Sequence, residues 1–552
     1  MATIMTWGAM RVFTGALTLA ILATGCSSDT STPTATTIEE PVTAGGTLVL
    51  GASQEPNCAD WYAPCGSSSW GQDMMGRQTM PRAFDVVDYR YRPSALLAGE
   101  PTLEIGPPQK VTLRINPAAV WSDGQPITAK DFKYSAEQAR LTGTTTSPAT
   151  SVDELDPKSV VVTWSDPAPG WRDQFSRILP SHLLEGKDRT AELRDGYKWS
   201  GGPWIIDHWT KGQEIKLVPN PRYWGKKPNL DAVVFKIIPD AAAYLAAYKT
   251  GQVDMIFVQG AQPEVLELKP LPDTGFEIQL GLTHEFITFN TAKPPLDSRS
   301  VRQALAYASD RDIIVSQLSG PLMPGIKPAQ SFMSPANKEF YSEPFARYRR
   351  DLTRVTQLMT GDGWAKGTDG IWVKAGMKAT VELNTMTGNR RRELTQEILL
   401  SQWKEAGFDV TVNNTASATL LGEWHPRGTF QASITGAAPS STEPNACGRF
   451  CSSGIPTEAN RYQGGNFFRI SSPELDSAWG AVAREVDAAK RVQLVRQANE
   501  LLAEEVPVLP LSPVLDIVVF NSAKVGGPVS ADPGGIFSRI NEWHCRASSC
   551  RS

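Results

Sequence analysis

Seven cysteines and five histidines are the residues with the most distinctive chemistry in this chain. The histidines (His182, His208, His284, His425 and His544) stand far apart without the spacing of a metal-ligand set, so no metal and no cofactor is expected. Six of the cysteines fall into sequence-local pairs: Cys58 with Cys65, Cys447 with Cys451, and Cys545 with Cys550. In an exported protein an even set of thiols is most simply read as disulfides, and local pairing is the expectation, although sequence leaves other connectivities open. A zinc reading has little support, because Cys447-Gly448-Arg449-Phe450-Cys451 has no matching Cys or His pair at finger spacing. The serine-hydrolase elbow, the two-histidine zinc-protease motif, the phosphate-binding loop and the dinucleotide glycine fingerprint are all missing from the sequence, so no catalytic residue is nominated. Paired carboxylates of a glycosidase need closeness in space and not a sequence motif, which keeps a surface-anchored hydrolase as the alternative class.

The odd cysteine, Cys26, follows an apolar run from Val12 to Leu22 preceded by Arg11. At about eleven residues the run is too short for a hydrocarbon core that needs about twenty, and it reads as a secretory signal over residues 1–25. Leu22-Ala23-Thr24-Gly25-Cys26 resembles a bacterial lipobox, which implies lipidation of Cys26, anchoring to the cell membrane and an extracytoplasmic location. Residues 26–45 are rich in Ser, Thr and Pro and read as a flexible tether.

These features must be carried by a body of ordinary globular composition. Of 552 residues, 41% are hydrophobic and 20% charged, which excludes whole-chain disorder and a multi-span membrane protein. A net charge of -4 supplies no electrostatic footprint for nucleic acid. Strand and helix signals alternate. Thr47 to Leu50, Lys110 to Asn116, Val160 to Trp164, Ile215 to Val218, Val233 to Ile238 and Val253 to Val258 read as strands. Thr128, Asp240, Asp310 and Ser472 stand as helix caps, and Glu393 to Ala406 is an amphipathic helix stopped by Gly407. The pattern predicts a mixed α/β chain of more than one lobe.

Four stretches carry a family resemblance: Trp121-Ser122-Asp123-Gly124-Gln125-Pro126-Ile127-Thr128-Ala129-Lys130-Asp131; Gly202-Pro203-Trp204 with Leu217 to Trp224; Asn290 to Arg311, which contains Lys293 to Asp297 and Val301 to Arg311; and Asn466-Phe467-Phe468 with Ser472 to Asp476. In this order and at comparable spacing they resemble the extracytoplasmic solute-binding proteins of peptide, dipeptide, nickel and oligosaccharide ABC importers. Each also has a plain physical reading as a tight turn, helix start or packed aromatic, so these residues are expected to specify fold and are not nominated as contacts.

The resemblance implies a two-lobed, type II periplasmic-binding-protein fold with an inserted subdomain. Lobe I would comprise residues 46–70, 201–283 and 511–545, the inserted subdomain 71–200 and lobe II 284–510. The chain would cross between lobes near Leu282 to Thr288 and near Pro510 to Pro513, making a hinge that closes on a solute and is recognised by an ABC permease. The protein is expected to act as a monomer and not as an enzyme.

In peptide-binding members the recognition strand supplies backbone hydrogen bonds and an aspartate for the peptide ammonium. The matching stretch here runs Gly436-Ala437-Ala438-Pro439-Ser440-Ser441, with Ser440 at the aspartate position. Gly436, Ala437, Ala438, Ser440 and Ser441 are therefore candidate contacts, and a free ammonium is disfavoured unless Glu443 or Glu423 moves in. Trp61, Trp424 and Asn466 complete the candidate set. The 16 tryptophans lean the reading toward an uncharged solute such as an oligosaccharide, with an oligopeptide as the other choice.

Overall fold

A computed structural model describes residues 44–552 except 88, 143–147, 261–262, 438–443, 531–534, 547–549 and 551–552. The expected signal, Cys26 and the tether through residue 43, together with Ala438, Ser440 and Ser441, lie outside the described residues.

The backbone of the molecule is a ten-stranded mixed sheet. Its order is Asp409–Val412, Thr380–Asn384, Ala432–Ala437, Thr274–Phe289, Val508–Asn521, Met255–Gln259, Thr47–Ala52, Ala232–Ile237, Glu214–Pro219 and Trp204–Thr210. The central pair, Thr274–Phe289 and Val508–Asn521, is antiparallel and much longer than the others. On one flank Val508–Asn521 pairs with Met255–Gln259, and on the other Thr274–Phe289 pairs with Ala432–Ala437. They therefore belong to both halves of the molecule.

Each half has its own core. On the first side, Leu48, Leu50, Trp204, Leu217, Phe235 and Trp543 bury together on one face of the sheet. Tyr244, Tyr248, Ile256, Ile517 and Val519 bury on a second cluster that includes the helix Ala241–Lys249. On the other side, Phe289, Leu305, Trp403, Trp479 and Leu502 form a larger core under the helices Arg299–Ala308, Arg390–Glu405, Pro473–Val482 and Ala488–Glu505. A third unit packs the four-stranded sheet Thr102–Glu104, Gln109–Arg114, Ser159–Trp164, Ser151–Asp156 against the helix Ala129–Thr142 through Val111, Leu113, Val160, Val162 and Phe132. This is the two-lobed binding-protein fold with an added subdomain.

The core of the added unit draws on residues from Ala83 to Ile178. Met74, Met75 and Met80 from the helical segment before it, and Leu184, Leu193 and Tyr197 after it, pack into the core of the first half instead.

The family motifs do structural work. The Asp131 carboxylate accepts the Thr128 N–H at 2.8 Å and so closes the helix start, and it also accepts both the N–H and the hydroxyl of Ser181. Arg311, 4% exposed, donates to the carbonyls of Ala329, Pro510, Phe345 and Tyr348. Asn290 donates to the carbonyls of Gly428 and Phe430, and Asn220 to that of Gly202. Buried loop backbone needs such donors because water cannot reach it. Tyr223 and Trp224 lie on the loop after Glu214–Pro219, where Trp224 packs against the core of the added unit. They are half-buried, and the Trp224 ring N–H donates to Ala95 O at 3.0 Å.

The cysteines pair locally as expected. Cα–Cα separations are 5.5 Å for Cys58–Cys65, 4.7 Å for Cys447–Cys451 and 5.7 Å for Cys545–Cys550. Among the described residues no helix is long and apolar enough to cross a membrane.

Candidate functional site

The two long strands lose regular pairing where they pass from one half to the other. Leu280 faces Leu515, but His284 faces Pro513, so Gly281, Leu282 and Thr283 are crowded opposite a single residue, Val514. Ser334 donates its hydroxyl to Gly281 O at 3.2 Å and ties a loop of the second half to this irregularity. Bulges commonly re-aim side chains beside functional sites. Ionisable side chains stand at that level on both strands: His284 and Glu285 on one, Asp516 on the other.

Asp516 lies over the bulge. A methyl group placed on Gly281 would come 2.6 Å from Asp516 Oδ2, so the close approach requires glycine. Burial raises the Asp516 carboxyl to about 6, with the nearby negative charge of Asp73 adding to the effect and a 3.4 Å hydrogen bond from Gln259 opposing it. Asp73 is itself paired with Arg77, Nε to Oδ1 at 2.7 Å.

Glu285 is 1% exposed and accepts from Arg391 Nη2 at 2.8 Å and Arg392 Nε at 2.7 Å. The helix beginning at Arg390, capped by Asn389, brings both arginines to this one carboxylate. Burial works to raise the Glu285 carboxyl, but the two guanidinium groups outweigh it and hold it below its ordinary value. Arg391 also lies against Gly260, at the end of the Met255–Gln259 strand of the first half.

His284 is 1% exposed, with ring centroids 5.7 Å from Phe286 and 5.6 Å from Phe332. Burial, reinforced by the positive charge of Arg449, lowers it to about 4, so it is neutral at physiological pH. Arg449 belongs to the short helix Cys447–Phe450, which the Cys447–Cys451 disulfide closes. Its Cζ stands 5.9 Å from the centre of the Phe332 ring.

The structure distributes the expected contacts unevenly. Gly436 pairs with Glu285 and Ala437 with His284, which puts the end of the recognition strand at the hinge. A methyl group on Gly436 would meet Arg392 Nη2 at 2.9 Å. Trp424 is half-buried on the Leu420–Trp424 turn of the second half. Asn466 is fully buried, and its carboxamide nitrogen donates to Cys451 O at 3.0 Å and Ile470 O at 2.9 Å. Its donors are spent on backbone, and through Cys451 it braces the disulfide-closed helix. Trp61 is 2% exposed, and its ring N–H donates to the Tyr197 hydroxyl at 3.1 Å. It borders a cavity of about 660 Å³ between the first half and the added unit, also lined by Arg77, Arg82, Asp173, Arg177 and Tyr223. Its ring packs in the first half's own core.

Sequence reasoning named the hinge windows but did not nominate Glu285, Arg391, Arg392, Arg449 or Asp516. The available signal was ionisable residues among strand-forming neighbours: His284-Glu285 before Phe286-Ile287, and Asp516 between Val514-Leu515 and Ile517-Val518.

Two cored halves, joined by continuous strands and carrying buried charge at the joint, define a periplasmic-type binding protein. Comparison with known proteins agrees. The family model of bacterial extracellular solute-binding proteins, family 5 (middle), matches residues 100–454. The chain belongs to that family. It is 26% identical over 350 residues to the oligopeptide-binding protein OppA of Lactococcus lactis subsp. cremoris, a match covering 55% of this chain and 58% of that protein. It is 25% identical over 522 residues to the oligopeptide-binding protein AppA of Bacillus subtilis, covering 90% of this chain and 92% of AppA. Among solved structures, the periplasmic EDTA-binding protein EppA superposes with a TM-score of 0.81 at 21% identity, covering 92% of this chain and 97% of EppA. At that identity the likeness speaks for the fold.

Proposed function

We propose that this protein is the membrane-anchored solute receptor of an ABC importer, which captures an oligopeptide or a comparable small solute at the hinge and passes it unaltered to a permease. The observation that carries this reading is the family match over residues 100–454 together with a hinge at which backbone and charged groups converge. The names of AppA and OppA favour a peptide over an oligosaccharide. Nothing comparable favours the hydrolase alternative.

In this reading Cys26 carries the lipid, the protein works as a monomer without a cofactor, and the end of the 432–437 strand with Ala438, Ser440, Ser441 and Trp424 lines the solute. Residues 46–70, 201–283 and 511–545 form lobe I and 284–510 lobe II. The separate cores support this division, with the added unit drawn in to residues near 83–178. Solute in the cleft makes contacts that the open form lacks, and this differential affinity closes the clamp.

The test is mass spectrometry of solute released from the purified protein, with titration of the same solute back into stripped protein. Intact peptides that rebind saturably support the proposal. Released sugars that rebind would replace peptide with oligosaccharide, and turnover of the solute would favour the hydrolase.

A further inference from the structure

The cavity of about 660 Å³ between the first half and the added unit has none of the hinge residues Gly281, His284, Glu285 or Asp516 in its lining. Its walls are the turn that runs from Gln78 to Asp85 and two segments that close on it, around Arg177 and around Gly201 and Gly202. Both glycines are needed for that approach. A methyl group on Gly201 would stand 2.7 Å from Pro81 Cγ, and one on Gly202 2.3 Å from Gln78 O.

Positive charge is in excess there. The lining carries five arginines against Asp85, Asp173 and Glu542, and with Asp73 counted for its pairing with Arg77 one charge is left over. Arg82 is held by Asp85, Nε to Oδ1 at 2.6 Å, and Arg539 by Glu542 at 2.8 Å. Among the described residues Arg177 has no acid of its own. Its Nη1 donates to Trp61 O, its Cζ lies 5.5 Å from the centre of the Tyr62 ring, and Asp60, whose charge reaches it, is committed to Arg189 at 3.0 Å. A partly desolvated guanidinium fixed by a backbone carbonyl is costly, and the cost is relieved when an anion arrives.

The neutral groups around it suit a polyol. Gln78 is 3% exposed, and its carboxamide nitrogen donates to Asp73 O at 2.9 Å and Phe537 O at 3.0 Å, which leaves the carboxamide oxygen without a donor among the described residues. The Ser538 hydroxyl is buried without a partner, and the Tyr223 hydroxyl makes no hydrogen bond among the described residues. All three side chains line the cavity, and the half-buried rings of Tyr223 and Trp224, 5.1 Å apart, add apolar surface. Hydroxyl donors and acceptors beside aromatic rings fit a sugar, and a volume of this size is that of a small-molecule site.

We infer that this cavity is a second binding site, for an acidic sugar: its phosphate or carboxylate pairs with Arg177, and its ring hydroxyls meet Gln78 Oε1 and the hydroxyls of Ser538 and Tyr223. The occupant is chosen by these residues and not by those that meet the solute at the hinge.

The experiment titrates the stripped full chain with glucose 6-phosphate, glucuronate, glucose and inorganic phosphate by calorimetry. The parent, Arg177→Gln, Arg177→Lys and Tyr223→Phe are compared, each checked for folding by a thermal melt. The expected result is saturable binding of at least one of the two acids, with glucose weaker by about 10- to 100-fold, and that preference lost in Arg177→Gln and partly kept in Arg177→Lys. Tyr223→Phe removes a hydroxyl that holds nothing in the fold, so it should weaken the acidic sugar by about 3- to 10-fold, and it decides alone if the Arg177 variants unfold. The tighter acid names the anionic group. Glucose bound as well as the acids, acid binding unchanged in folded Arg177→Gln or in Tyr223→Phe, inorganic phosphate bound with neither acid, or no binding of any probe overturns the inference.

Discussion

The guanidinium of Arg391 in the second half lies so close to Gly260 of the first half that a methyl group on Gly260 would stand 1.5 Å from Nη1. Gly260 also has φ +87, a conformation that side chains resist. Gly260→Ala is expected to cost about 1–2 kcal/mol through the backbone and to push Arg391 off Glu285. Urea unfolding would read the first effect and solute titration the second, with weaker binding as the expected outcome. Unchanged binding would show that Arg391 swings clear.

Glu285 neutralises two guanidinium groups that are themselves nearly buried, with side chains 15% and 10% exposed. Glu285→Ala would leave both uncompensated and is expected to destabilise by about 3–5 kcal/mol. Because its folded value is depressed, the stability Glu285 supplies is complete above the ordinary glutamate range and is lost as pH falls through the lower folded value. Chemical denaturation of parent and variant at pH 7 and pH 4 should show the difference between them shrinking in acid.

His284 and His425 are both lowered to about 4 by burial, with Arg449 adding to the effect at His284. The unfolded chain takes up these protons from pH 6.5 downward while the folded one does not. Stability is therefore complete above pH 6.5 and declines as pH falls toward 4, by at most about 3 kcal/mol for each ring. A His425→Gln variant should show a shallower decline than the parent, read by thermal melts across that interval.

Asp516 has the opposite sense. Its folded carboxyl is raised to about 6 from 3.8, so the folded state keeps a proton that the unfolded chain has lost. Stability from this group is complete below pH 3.8, falls between 3.8 and 6, and stays low above. Asp516→Asn is expected to be more stable than the parent at pH 7.5, by on the order of 1–3 kcal/mol, with the gain fading toward pH 4. A variant less stable at pH 7.5 would mean that the ionised carboxylate makes a contact worth more than its burial costs.

Replacing Cys447 and Cys451 together by serine should lower stability by about 2 kcal/mol, the loop-closure effect for so short a ring. Calorimetry of the parent with and without reductant offers an independent reading of the same loss.

What the sequence made legible follows from how local each signal is. Asp240 and Asp310 cap their helices within three residues of themselves, and both do so in the structure. The strands around Leu48, Leu113 and Phe235 follow from alternation in a few neighbours. Arg311 and Asn290 were legible as motif members because their partners are backbone carbonyls, which any sequence provides. The site was not legible in this way. His284 meets Arg449, and Glu285 meets Arg391 and Arg392, only after distant segments fold onto one strand. No spacing records that. Asn466 and Trp61 are conspicuous in sequence, but their hydrogen-bond partners, Cys451 O and the Tyr197 hydroxyl, come from segments that only the fold brings to them.

The irregular step between Leu280 and His284 has a mechanical consequence. Since the same two ribbons thread both bodies, swinging one against the other must twist hydrogen-bonded backbone, and the torsion will concentrate where the ladder is already interrupted, at Gly281 to Thr283. Those amides should trade protons with solvent in step with each swing, while the flanking rungs at Phe276 and Ile287 stay silent, so a few exchange rates would time the stroke of the whole molecule.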